Sequence, residues 1–363
     1  MLDKLGWTDR NYNVLKDIIK KYGIEDFKDK YEKNFVVSDW DNTVLMYDVQ
    51  DAVFLYQLEN LDYNFNSFEL KYILEKDIVY PKGKEDFIDN LISEIVEDYE
   101  KLCALKEKLS LEEIKKEQCY SNFIAKMVYI HMEVNFEMGY KIYCYRMLYL
   151  FYNMAEEEVR TLSQKAIEHW LKRDMGIINF NARLRKGQRI NYDFKVGLRK
   201  IQEQINLFSA LRESNIDVYI CTSSLQIVIE EFALNEKLGY GFKRGEVKGL
   251  KLLVDERGKF LPEVDEEGMV PILEGKREYL NYLSNLYSKP PILFMGDSDG
   301  DYYALTYEKL KVALIVNAND DELIGALKRK AKEECKEGTL YLLQGRDEIN
   351  YSFRNSTKSI TRM

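Results

Sequence analysis

Histidine is scarce: His131 and His169 are the only two among 363 residues. Two histidines so far apart make neither a His-based zinc centre nor a Ser-His-Asp triad, and both read as packing or surface residues. Cysteine is sparse as well. Cys103, Cys119, Cys144, Cys221 and Cys335 are scattered without a CxxC pair, which argues for reduced thiols used as small core residues rather than a disulfide framework or a thiolate metal site. No basic tract stands out and the formal charge is −9, which argues against a nucleic-acid or anionic-membrane partner. Long apolar runs are missing too. The most apolar stretch, MLYLFYNM at 147 to 154, is too short to span a bilayer. The opening MLDKLGWTDRNYNVLKDIIKK mixes acids with its bases and has no apolar centre, unlike a signal peptide. The expectation is a cytoplasmic protein with no nucleic-acid and no membrane partner.

What is present is enough for a sizeable core. Hydrophobic residues make up 46% and charged residues 32% of the chain, and the length suits two domains or one domain with a large insertion. Strand-like and helix-like pieces alternate at both ends. Strands are expected at 35–40, DVYICT 217–222, PILFMG 291–296 and VALIVN 312–317, with helices near 50–59, at IQEQINLFSALRES, from about 276, and over DDELIGALKRKAKEE. VKGLKLLVDERGKFLPE reads as a hairpin turning near Glu256-Arg257-Gly258. From about 62 to 195 prolines and glycines are few and the spacing reads as helical; LSLEEIKKE, with Ser110 three residues before Glu113, reads as a capping box. Repeated strand-helix-strand units imply a parallel sheet with helices on both faces. The fold class is therefore α/β, a Rossmann-like parallel-sheet core of residues 1–60 and 198–345, interrupted by an all-helical cap at 61–197 and followed by a tail at 346–363.

The chemistry is concentrated at strand ends. The run FVVSDWDNTVLMYD places Asp39 and Asp41 just past an apolar strand, and side chains two residues apart on a strand point the same way. Adjacent acids repel, so a core has no use for them unless they hold a cation. Ligands of an open parallel sheet bind outside the carboxyl ends of its strands. Thr222, Ser223 and Ser224 end a second strand, Asp297, Asp299 and Asp301 follow a third, and Lys276 opens the helix before that third strand. The spacing Asp297-x-Asp-x-Asp is not a calcium loop, because Tyr302 stands where that loop needs glycine. Gly275-Lys276 is not a P-loop, since Val270 and Arg277 occupy required positions.

DWDNT resembles the first motif of the haloacid dehalogenase superfamily, DxDxT. ICTSS resembles the second, Lys276 in EGKREYL the third, and GDSDGD at 296–301 the fourth, all in family order. The resemblance implies a Mg²⁺ held by Asp39, Asp297 and the backbone carbonyl of Asp41, with Asp301 orienting the metal's water. It also implies Asp39 as the nucleophile that forms an aspartyl-phosphate and Asp41 as acid and then base. Thr222 and Lys276 would hold the phosphoryl oxygens. Asp41 favours phosphoryl transfer over dehalogenation, because a halide needs no proton to leave. Asp48, nine residues after Asp39, corresponds to an acid that meets a substrate ammonium in the phosphoserine-phosphatase-like branch; read by itself it serves equally as an N-cap for the next helix. Ser223 and Ser224 join it as candidate substrate contacts. DWDNTVLMYD, LYSKPPILFMGDSDGDYYAL and the hairpin before Lys276 look most like phosphorylcholine phosphatases.

The implied reaction is hydrolysis of a small, amine-bearing phosphomonoester such as phosphocholine, phosphoethanolamine or phosphoserine, with the cap closing over the site. A phosphotransferase or mutase on the same core, and a non-catalytic binding protein descended from it, remain the alternatives. Tyr120, Tyr129, Tyr140, Tyr143, Tyr145, Tyr149 and Tyr152 read first as cap core and second as a cage for an ammonium group.

Overall fold

The computed structural model describes residues 1–319, 321–333 and 338–362; Cys335 lies outside the described residues, as do Asp320 and Glu334 at the ends of the helix expected there. The chain divides into two compact units. The first is Met1–Val49, Leu198–Leu250 and Glu266–Met363, and the second is Gln50–Gly197 with Lys251–Asp265.

The first unit is built on a seven-stranded sheet. Its strands are β1 Asn34–Ser38, β2 Ile216–Leu225, β3 Val247–Leu250, β4 Leu293–Gly296, β5 Val312–Asn317, β6 Leu340–Asp347 and β7 Ser352–Phe353. They lie in the order β7-β6-β5-β4-β1-β2-β3, all parallel except β7, which pairs antiparallel with β6. The apolar runs that mark these strands are buried on both faces, as parallel strands require. Phe35, Val37, Tyr219, Cys221, Phe294, Ala313, Ile315, Tyr341 and Leu343 alternate onto one face and form a single cluster there. The side chains between them, Val36, Val218, Ile220, Met295 and Leu314, are buried as well. Each such aliphatic or aromatic side chain is worth about 1.5–3 kcal/mol on burial.

Among the described residues, five helices of eight residues or more accompany this sheet: α1 Asp9–Tyr22, α2 Gln202–Glu213, α3 Gln226–Ala233, α4 Glu274–Tyr287 and α5 Glu322–Lys330. From α4 come Leu280 and Leu283, and from α5 Ile324 and Leu327, to the clustered face. Residues 1–33 contribute α1, which is tied to β6: Asn11 Nδ2 donates to the Leu343 carbonyl and to Gln344 Oε1, both at 3.0 Å. The stretch expected to be a tail is part of the same edge. β6 runs past residue 345 to Asp347, and β7 follows it, with Phe353 packed edge-on against Trp7 at 4.8 Å between ring centroids.

In the second unit the helices Ser67–Glu75, Glu85–Lys106, Gln118–Tyr129 and Glu156–Lys172 dominate. Glu113 Oε2 accepts from the Ser110 N–H at 2.8 Å, as the capping box requires. This unit is not all helical, which corrects the reading of residues 62 to 195. Gly176–Arg183 and Arg189–Val196 form an antiparallel hairpin, turned at Gly187 with φ +89°. Its side chains alternate between exposed and half-buried or buried, so half of them carry no hydrophobic signal. The hairpin expected over 247–263 is shorter than read: Leu252–Val254 pairs with Phe260–Val264 and turns at the expected Gly258, whereas Val247–Leu250 is β3 of the central sheet. Tyr149 is buried with its hydroxyl 2.6 Å from Asp77 Oδ2, and Tyr120 donates to the Glu59 carbonyl at 2.9 Å. Both therefore pack this unit. Of the cysteines, Cys144 and Cys221 are buried, Cys103 and Cys119 are half-buried, and none of these four forms a disulfide. Among the described residues no helix is long and apolar enough to cross a membrane.

His131 lies in a π-helical turn, Ile130–Val134, and is fully enclosed. Arg146 Nε donates to Asn135 Oδ1 at 2.8 Å, which leaves Asn135 Nδ2 facing His131 Nδ1 at 3.1 Å. An amide nitrogen can only donate, so Nδ1 accepts and the ring is neutral. Burial, and then the Arg146 charge, push its pKa down to about 3. The unfolded chain binds this proton near pH 6.5, so stability is full above that pH and is lost as pH falls from about 6.5 towards 3, by up to about 1.4 kcal/mol per pH unit. Urea unfolding of wild type and His131→Gln at pH 7, 6, 5 and 4 is expected to show the wild type losing stability more steeply by that amount. Parallel curves would refute the buried neutral ring.

Candidate active site

The topology brings the predicted groups together before any side chain is considered. From β1 the chain steps to β2 and β3 on one side, then returns to β4 on the other, so the order reverses between β1 and β4. Val37 is paired with Phe294 and Ser38 with Met295, while Ser38 also pairs with Ile220. Asp39 follows Ser38 directly, and Asp297 and Thr222 stand two residues beyond Met295 and Ile220, so all three come to the same carboxyl edge, at a topological switch point.

Asp39 continues the ladder, its N–H donating to the Met295 carbonyl at 2.9 Å. Trp40 points the other way and is enclosed by Phe232, Tyr240 and Phe242, which leaves both acids of DWDNT facing the edge. The chain then turns sharply. Asn42 is left-handed at φ +59°, a conformation asparagine tolerates, and Val44 N–H closes the turn on the Trp40 carbonyl at 2.8 Å. This swings Thr43 back under Asp39. Its hydroxyl is 3.1 Å from Asp39 Oδ2 and 3.0 Å from Asp297 Oδ1, and with one hydrogen it donates to one of them at a time.

Lys276, only 2% exposed, comes from the first turn of α4. Its Nζ is 2.7 Å from Asp39 Oδ1 and 2.7 Å from Asp301 Oδ1, although 237 residues separate it from Asp39. Asp301 is fully buried and accepts the Asp297 N–H at 3.0 Å on its second oxygen. Gly296 permits this: a Cβ there would sit 2.5 Å from Asp301 Cγ. Asp297 Oδ2 accepts from Asn319 Nδ2 at 2.5 Å.

The carboxylates of Asp39, Asp297 and Asp301 are all buried and approach within 4.8 Å of one another. That is an oxygen-only donor set of the kind a hard divalent cation takes. Burial first, and then the Asp301 charge, lift the Asp39 carboxyl to about 7, against the pull of Lys276. Burial, then Asp39 and Asp301, hold Asp297 well above the ordinary carboxylate range, opposed by Arg346. Three acids forced together at such cost fit a cation beyond the single lysine.

The Asp41 carboxylate is turned elsewhere. It accepts from the Val49 N–H at 2.8 Å and from Ser224 Oγ at 2.7 Å. Its pKa is raised well above the usual value by burial first and by the Asp48 charge second. Asp48 is half-buried and immediately precedes the helix Val49–Asn60. Thr222 is buried, and its hydroxyl accepts from the Ser224 N–H at 3.2 Å. Ser223 Oγ is directed to the Pro271 carbonyl at 3.1 Å. Asp299 is not among the clustered acids and accepts the Ile324 N–H at 2.7 Å in the first turn of α5. Sequence reasoning overlooked Thr43, although it is the last letter of the DxDxT pattern. It also overlooked Asn319, whose only signal is its place just past β5.

A mostly parallel sheet whose switch point gathers four acids, a buried lysine and hydroxyl groups defines the class: an α/β protein with an acidic, oxygen-rich cluster at the carboxyl edge of its sheet. Within it, this chain belongs to the same family as a conserved protein of unknown function from Anaerococcus prevotii DSM 20548. The two are 30% identical over 99% of this chain and 98% of that one, with a TM-score of 0.88. A substrate-bound phosphoserine phosphatase is a more distant likeness, 14% identical over 78% of this chain and 86% of its own, with a TM-score of 0.36. A phosphoserine phosphohydrolase-like protein from Francisella tularensis subsp. tularensis SCHU S4 is 11% identical over 81% and 92%, with a TM-score of 0.40. Likeness at that distance carries no functional weight. No family model and no curated protein matches the chain.

Proposed function

We propose that the protein is a divalent-metal-dependent phosphomonoester hydrolase of the haloacid dehalogenase type. One observation carries the reading: three separate parts of the chain, the loop 39–43, Lys276 and the Asp297–Asp301 pair, converge at the carboxylate of Asp39. Asp39, Asp297 and Asp301 would hold Mg²⁺, which when bound neutralises the acids and polarises a phosphoryl oxygen. An Asp39 oxygen attacks phosphorus as the bond to the leaving oxygen breaks, giving an aspartyl-phosphate. Lys276 steadies the charge on the phosphoryl oxygens, and Thr43 fixes the orientation of the attacking carboxylate.

Asp41 suits the acid role because its environment favours the protonated form. It gives that proton to the leaving oxygen, then takes one from the water that hydrolyses the acyl phosphate, releasing phosphate and restoring Asp39. The Asp48 charge acts directly on Asp41 and so lies on the leaving-group side. An alcohol that carries an ammonium group suits that position, which favours phosphocholine, phosphoethanolamine or phosphoserine.

Phosphate release from these three, p-nitrophenyl phosphate and a sugar phosphate, with Mg²⁺ and with EDTA, tests the reading. Release from an amine-bearing ester is expected, falling about a hundredfold or more in EDTA, as the loss of several kcal/mol of charge stabilisation requires, and recovering with excess Mg²⁺. Transfer to an added alcohol in place of free phosphate would make the protein a transferase. Silence of folded, metal-loaded protein on every ester would remove the proposed substrate class.

A further inference from the structure

The residues beyond 345 hold an ion pair that no catalytic motif includes. Arg346 is 1% exposed and Glu348 is fully buried, with Arg346 Nη2 2.6 Å from Glu348 Oε1. Arg346 Nη1 donates to the Asn42 carbonyl at 3.0 Å and to Asn42 Oδ1 at 3.2 Å. The other Glu348 oxygen accepts from the Tyr47 hydroxyl at 3.3 Å and from the Arg362 N–H at 2.9 Å. Asn42 and Tyr47 are the two left-handed residues of the loop that carries Asp39 and Asp41, at φ +59° and +68°. They also bond to each other, Asn42 N–H to the Tyr47 carbonyl at 2.9 Å. One buried pair thus grips both strained points of the loop.

A buried ion pair adds little stability, because desolvation offsets its attraction. Strained backbone, in contrast, persists only where its surroundings over-determine it. We infer that Arg346 is a positioning residue for Asp39 and Asp41, acting through Asn42, and that Glu348 holds its guanidinium and Tyr47 in place. The forked contact to the carbonyl and amide oxygens of Asn42 uses the planar guanidinium, which a lysine cannot reproduce. The effect on turnover rests on the phosphatase reading; the effect on the loop does not.

The test compares folded, full-length wild type with Arg346→Gln, Arg346→Lys and Glu348→Gln. Deuterium uptake is followed in peptides covering residues 40–49 and 216–225, and turnover is followed on whichever ester the wild type cleaves. The expected result is exchange about tenfold faster in the loop peptide with β2 unchanged, and kcat lower by about tenfold or more with KM within about threefold. Arg346→Lys should fall between wild type and Arg346→Gln. If Arg346→Gln does not fold, the other two variants give the same readout. Wild-type uptake and turnover in the folded variants would overturn the inference, as would faster exchange spread evenly over both peptides. Faster loop exchange in the variants of a protein that cleaves no ester would support the clamp and remove the phosphatase reading instead.

Discussion

Asp39→Asn is expected to lower phosphate release by about four to six orders of magnitude, the scale on which removal of a covalent nucleophile acts. The same change should leave the fold as stable as before, or more so. Asp39 sits against Asp301 and Asp297 in a buried cluster, and its carboxyl is pushed up to about 7 chiefly by burial. A group whose pKa is raised in the folded state disfavours folding when ionised, so the neutral amide relieves repulsion at neutral pH. The amide oxygen still accepts from Lys276. Activity and melting temperature, the latter measured in EDTA, should therefore move apart: one collapses and the other holds or rises. Retained activity within about tenfold of wild type would exclude Asp39 as the nucleophile, and a clear drop in melting temperature would contradict the crowded-acid account.

Asp41→Asn is expected to divide substrates by their leaving group. For alkyl phosphates the departing alkoxide needs a proton, and loss of the general acid should cost about 10²–10⁴-fold. p-Nitrophenol leaves readily as its anion, so phosphorylation of Asp39 should remain fast with p-nitrophenyl phosphate. Hydrolysis of the acyl phosphate still needs a base, and turnover should stall there. The signature is a burst of p-nitrophenol close to one equivalent per protein molecule, followed by a slow steady state. Equal losses on both substrate types with no burst would take Asp41 out of proton transfer. The asparagine keeps one oxygen to accept the Val49 N–H, and its Nδ2 donates to Ser224 Oγ where the carboxylate had accepted from it, so the loop should keep its shape.

The central strands and the site groups next to them were legible because each is marked locally. VALIVN is an unbroken apolar run and forms β5 over the expected residues, Val312–Asn317. The acids follow such runs directly, and a parallel sheet sends all its strand ends to one edge. The hairpin Gly176–Val196 was illegible for the opposite reason. Many of its side chains face outward, so its alternation is carried by few apolar residues, and the scarcity of turn residues elsewhere in that stretch favoured a helical reading. β6 was missed in part because LYLLQGRD turns polar halfway. Gln344 and Arg346 look like surface residues, yet both are buried, the first paired with Thr8 and Asn11 and the second with Asn42. Burial of a satisfied polar group depends on partners hundreds of residues away, and no local pattern records it.

The placement of β1 in the middle of the sheet also bears on the order of assembly during synthesis. Asp39 is made early, whereas Lys276, Asp297 and Arg346, which surround it or its loop, come from the last third of the chain. A nascent polypeptide therefore carries its acid pair on a strand that lacks one neighbour until residues 293–296 have left the ribosome. Pairings of such long sequence separation form slowly. The acid-bearing edge is thus completed only late in synthesis, and a chain halted before Arg346 lacks the contact that grips the loop after β1.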